Sequence, residues 1–212
     1  MPLVQIWIWW AGIAFEEMSL RGKLLLMGAM VAGGLPGIMA ADGAEAPTGF
    51  NVTSSTFTDG GPMPARTAYT KTADYSWCVG QNISPALAWS HPYAVVKSYA
   101  VTMIDLEDTT RDIDLVVYGI PANITSFAEG EFNHASDKFV AGKGSRGQGT
   151  WRGMCPPAGM SPHHYAFTVK GTDLDPKALP AGLTAAELDA ALKGHVRGAP
   201  AVMVGTFAAP KA

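Results

Sequence analysis

Ser98-Tyr99-Ala100-Val101-Thr102-Met103-Ile104-Asp105-Leu106-Glu107 runs through small, aromatic and β-branched side chains with almost no interruption until it meets two acids. Such a composition favours extended chain over helix. Working outward, residues 50–57 alternate apolar with polar in the period of a half-buried strand, and 115–120, 165–169 and 201–207 read as further strands. Asp59-Gly60-Gly61-Pro62 is a turn, and the Gly-, Ser- and Asp-rich stretch 128–149 must be carried by loops. One helix is expected, over 185–193. Thr184 and Glu187 form a capping box, Leu183 staples onto Leu188, and Gly194 stops it. Leu188, Ala191 and Leu192 form its buried stripe. The fold class is all-β: an antiparallel β sandwich with long loops and one or two peripheral helices.

The chain has 212 residues, which suits one core and leaves little room for a second domain. A net charge of -3 with 16% charged residues provides no basic surface for a phosphate backbone, so nucleic acid is excluded as a partner. From Met18 the chain has the parts of a secretory signal: Arg21 and Lys23, an apolar run over 24–35, then Ala40 and Ala41. Residues 1–17, with Trp7, Trp9 and Trp10 followed by two acids, read as an extension ahead of the true start at Met18. The expected organisation is therefore a leader over 1–41 and a folded domain over 42–212. The protein is exported, periplasmic or secreted, and meets the membrane only through the leader if that stays uncleaved. In an oxidising compartment Cys78 and Cys155 can form a disulfide; two buried thiols are the alternative.

Four segments taken in order resemble the phosphatidylethanolamine-binding protein family, particularly its bacterial members similar to Raf kinase inhibitor protein. They are Asn82-Ile83-Ser84-Pro85 with Leu87 and Trp89, the 98–107 segment, Val116-Val117-Tyr118-Gly119-Ile120-Pro121, and Gly153-Met154-Cys155-Pro156-Pro157 through Pro162-His163-His164-Tyr165. The resemblance implies a β sandwich with a small pocket at one end of the sheet that accepts phosphate-like head groups. It carries Asp105 and Glu107 into that pocket from one side, Pro156, Pro157 and His163 from another, and adds Trp151 as the aromatic ahead of the glycine. An acid beside a histidine favours the imidazolium, which can donate to an anion, while prolines keep the rim rigid.

Three departures bear on that site. Asp105-Leu106-Glu107-Asp108-Thr109 lacks both prolines of the family's Asp-Pro-Asp-Ala-Pro, Asp114 stands where the family has a histidine, and His163-His164 replaces a His-Arg pair, exchanging a permanent cation for an imidazole. Asp105, Glu107 and Asp114 facing only His163 and His164 would repel phosphate more than the family site does. His164, one step along a strand, points away from the pocket. The expected function is the binding of a small anionic or phospho-head-group ligand, with no catalytic residue and no cofactor. The alternatives are an interaction or inhibitor module for an extracytoplasmic protein partner, a divalent-metal site on the carboxylate-histidine cluster, and a hydrolase built on Ser161, His163 and Asp105.

Overall fold

The structure is a computed structural model that describes residues 49–211, apart from 91, 110 and 111. The leader expected over 1–41 lies outside the described residues. Among the described residues no helix is long and apolar enough to cross a membrane.

Among the described residues eight strands form two antiparallel sheets. Strands β3 (Ser98–Asp105), β4 (Ile113–Pro121), β6 (Val140–Ala141), β7 (His163–Thr172) and β8 (Ala201–Phe207) make a five-stranded sheet in the order β6-β4-β3-β7-β8. Strands β1 (Asn51–Thr53), β2 (Leu87–Ser90) and β5 (Ser126–Phe127) make a three-stranded one in the order β1-β2-β5. The main core joins Val52, Trp89 and Phe127 of the small sheet to Tyr99, Val101, Met103, Leu115, Val117, Tyr165, Phe167 and Val169 of the large one. The opposite face of the large sheet is covered by the α-helix α1 (Ala185–Ala191), whose Leu188 packs with Ala100, Val116 and Tyr118. Burial on both faces explains why β3 and β4 read as continuous apolar runs rather than alternating ones.

The expected capping box is present: Glu187 N–H donates to Thr184 Oγ1 at 3.3 Å and Thr184 N–H donates to Glu187 Oε2 at 2.9 Å. The helix ends two residues earlier than its apolar pattern, with Leu192 as its C-cap and Gly194 in the left-handed region at φ 82°. Strand β1 also stops short of the expected 50–57, because Ser54 Oγ accepts from Thr56 N–H and bends the chain.

Candidate functional site

Strand periodicity builds the site. On β3 the inward stripe Tyr99-Val101-Met103 ends at Asp105, and on β7 the inward stripe Val169-Phe167-Tyr165 ends at His163. Asp105 pairs in register with Tyr165, so His163 lies one pleat further along the same face. The core stripes thus terminate in an acid and a histidine at one end of the sandwich. Asp105 Oδ2 lies 2.8 Å from His163 Nδ1. His164 faces the other way, pairing at 2.7 Å with Glu107.

A third acid arrives through an irregularity in β4. Register passes from Met103 opposite Leu115 to Ile104 opposite Ile113, which leaves Asp114 as an extra residue turned toward the same hollow. Asp105 also fixes the turn that follows it, since its Oδ1 accepts from the backbone N–H of Glu107 (3.0 Å) and of Asp108 (3.2 Å). The two prolines missing from this loop are therefore replaced by an Asx-type turn.

The far wall is the segment 151–157, pinned from several directions. Arg152 N–H donates to the Asp114 carbonyl, Gly153 N–H to Asn82 Oδ1 at 2.7 Å, and Tyr69 N–H to the Met154 carbonyl. Asn82, in the left-handed region at φ 56°, thus secures a segment far along the chain rather than its own turn. A Cβ on Gly153 would fall 2.3 Å from the Thr67 carbonyl oxygen, so only glycine permits this packing. Cys155 is joined to Cys78 with Cα atoms 5.5 Å apart, and Trp77 Nε1 donates to the Pro156 carbonyl at 3.1 Å. The disulfide and this hydrogen bond together hold Tyr75 and Trp77 against the Pro156-Pro157 rim.

These elements enclose a cavity of about 160 Å³ lined by Asp105, Asp114 and His163 together with Tyr165, Arg152, Arg146, Asp112, Asp108 and the rim. Two arginines that sequence reasoning missed overturn the expectation that only histidines oppose the acids. Arg152, 6% exposed, meets Asp114 at 3.3 Å, and Arg146 meets Asp112 at 3.1 Å. Arg152 further stacks 4.4 Å over Tyr69 and 5.0 Å over Tyr75. Burial, reinforced by Asp112, pushes the Asp114 carboxyl up to about 7 in spite of Arg152. Burial and the neighbouring Asp105 hold the Tyr165 phenol well above its usual range. The Asp105 carboxylate lies close to the Tyr165 hydroxyl but outside hydrogen-bond geometry, which leaves that hydroxyl an unfilled donor among the described residues. Arg152 Nη2 is a second one.

Two expected site residues lie elsewhere. Trp151 is core: it stacks on Phe167 at 6.1 Å, donates from Nε1 to the Thr67 carbonyl, and borders a neighbouring hollow instead of the one holding His163. Its side of the strand-like segment 151–153 faces the sandwich interior. Glu107 stands outside the cavity, in an open groove with Met160, Ser161 and His163. Burial draws its carboxyl upward, but hydrogen bonds from the backbone and ring of His164 outweigh this and hold it low. Asp105, Glu107 and His163 still offer ligand atoms within 4.8 Å of one another. Ser161 is exposed in that groove and makes no hydrogen bond to His163 among the described residues, while His163 pairs with Asp105.

The core stripes of the β sandwich thus end in an acid-histidine pocket behind a Pro-Pro rim. The chain belongs to the phosphatidylethanolamine-binding protein family, whose model matches residues 53–208. It is 35% identical over 129 residues to the UPF0098 protein Rv1910c of Mycobacterium tuberculosis, covering 59% of this chain and 56% of that one. It thus matches a little over half the length of that mycobacterial relative. Lipoprotein LppC from the same organism is 32% identical over 166 residues, 77% of this chain and 75% of its own. Among solved structures, Escherichia coli YbcL, described as a new member of the mammalian family, superimposes with a TM-score of 0.66 at 25% identity over 75% of this chain and 98% of its own. The homologue CT736 of Chlamydia trachomatis gives 0.63 at 26% identity, over 76% and 98%. None of these names is that of an enzyme.

Proposed function

We propose that this protein is an exported binding protein for a small anionic ligand of the phospho-head-group class, seated between His163, Tyr165 and Arg152 with Asp105 orienting the histidine. The observation that carries this reading is the pair of buried donors on the cavity wall, Arg152 Nη2 and the Tyr165 hydroxyl, that have no hydrogen-bond partner among the described residues. A buried donor left unpaired costs about 1 to 3 kcal/mol, and an anion supplying acceptors recovers that cost. The raised Asp114 carboxyl helps: with its proton on, the wall loses one negative charge and Arg152 turns more of its field toward a ligand. Export is supported by the signal-like segment, by the disulfide and by the lipoprotein name of one relative.

A divalent cation is the second reading, favoured by the convergence of Asp105, Glu107 and His163. It is the weaker one, because Asp105 is already engaged by two backbone amides and His163, and Glu107 by His164. Calorimetry of the purified protein with phosphoethanolamine and, separately, with zinc tests both. Phosphoethanolamine should bind, and Tyr165→Phe should weaken it about fivefold, the worth of one hydrogen bond of about 1 kcal/mol. Heat with zinc alone would replace the anion reading by the metal one.

A further inference from the structure

Behind the wall formed by Tyr75 and Arg152 lies a second hollow of about 340 Å³, bordered by Tyr69, Asn82, Gln148 and Trp151 as well. Its chemistry differs from that of the first cavity. Four aspartates line the first, whereas the described residues lining the second include no carboxylate. Tyr69 and Tyr75 meet edge to face at 5.8 Å, which gives the hollow aromatic walls. Arg146 is committed, to Asp112 through Nε and Nη2 and to the Tyr75 hydroxyl through Nη1. Two other donors are not. Gln148 Nε2 is buried without a partner among the described residues and borders this hollow, and Arg152, which stands in the dividing wall over the Tyr69 ring, has its Nη2 unfilled.

We infer that this hollow is a separate binding site for a carboxylate carried on a flat ring, such as an aromatic acid. The carboxylate accepts from Gln148 Nε2 and Arg152 Nη2, and the ring lies against Tyr69 and Tyr75. A carboxylate supplies the paired acceptors that two unfilled donors need, and a planar ring matches aromatic walls at little ordering cost. The flat ring is what selects the second hollow over the first, because Tyr69, Tyr75 and Trp151 border it and, among the described residues, no carboxylate does. Gln148 and Tyr69 line this hollow and not the first cavity, whereas Arg152 Nη2 is offered to both, so a ligand in one competes for that group with a ligand in the other.

Benzoate titrated into the full chain, followed by side-chain amide and guanidinium NMR signals, tests the assignment. Benzoate should shift the Gln148 amide and Arg152 signals. Gln148→Leu should weaken benzoate about tenfold or more, the loss of a hydrogen bond to a charged group, while leaving phosphoethanolamine affinity unchanged. His163→Ala should do the reverse. Tyr69→Leu, which removes one of the two aromatic rings, provides the second variant should Gln148→Leu melt early through the 144–149 turn, and it too should weaken benzoate selectively. Benzoate that fails to bind at millimolar concentration, or that is lost in His163→Ala and retained in both hollow variants, overturns the assignment. Failure of phosphoethanolamine alone touches only the first cavity.

Discussion

Replacing Cys78 and Cys155 together with serine is expected to lower stability by about 4 kcal/mol, because the bond closes a loop 77 residues long and its removal returns that loop's freedom to the unfolded chain. For a domain of this size the melting temperature should fall by roughly 10 °C. The same change should weaken ligand binding. The disulfide is one of two ties, with the Trp77 to Pro156 hydrogen bond, that hold the Tyr75-Trp77 wall against the rim. A wall that must be ordered on binding subtracts its ordering entropy from the affinity. Thermal melts of the parent with and without reductant, beside the double serine variant, measure the effect. The reduced parent should match the variant, and the variant should ignore reductant. A reduced parent that melts where the oxidised one does would contradict the assigned role of the bond.

Arg152→Ala is expected to cost stability in a manner that depends on pH. In the folded protein Asp114 keeps its proton up to about pH 7, whereas unfolded it gives the proton up near 3.8. Folding therefore takes up a proton between these values. The stability from this group is complete below about pH 4 and is lost as the pH rises through 7, at about 1.4 kcal/mol per pH unit. Arg152 is the group that opposes this upward shift, so removing it drives the Asp114 carboxyl higher still and extends the loss into alkaline solution. At pH 5, with Asp114 protonated in both proteins, the variant loses only the packing over Tyr69 and Tyr75, about 2 kcal/mol. At pH 8.5 the parent holds an ion pair that the variant cannot form, and the cost should reach about 4 kcal/mol. Urea unfolding at the two pH values gives both numbers. Equal costs would mean that Asp114 and Arg152 are not coupled.

Much of this arrangement was legible in the amino-acid sequence because strand periodicity carries long-range information. Once 98–105 and 163–172 are paired strands, a period of two places Asp105 and His163 on one face and His164 on the other. Tyr165 was recoverable by the same reasoning, two residues beyond His163. Strands β5 and β6, of two residues each, are too short for any periodicity to show. Asp114 reached the cavity through a register irregularity that no local pattern announces. Arg146 sits in the loop stretch 128–149, where nothing in the sequence fixes the path of the chain, and Arg152 is tied to Asp114 only by tertiary packing. Trp151 was misplaced for a related reason. Whether an aromatic at a rim turns inward or outward is settled by what lies beneath it, here Phe167 and the Thr67 carbonyl.

The central claim is that the hollow where the inner stripes of β3 and β7 end is built to receive an anion. A crystal structure of the protein grown in phosphate tests it most directly. A tetrahedral solute is expected beside the His163 ring, within hydrogen-bond distance of the Tyr165 hydroxyl and Arg152 Nη2. A cavity holding water alone while phosphate occupies other sites on the same molecule would contradict it.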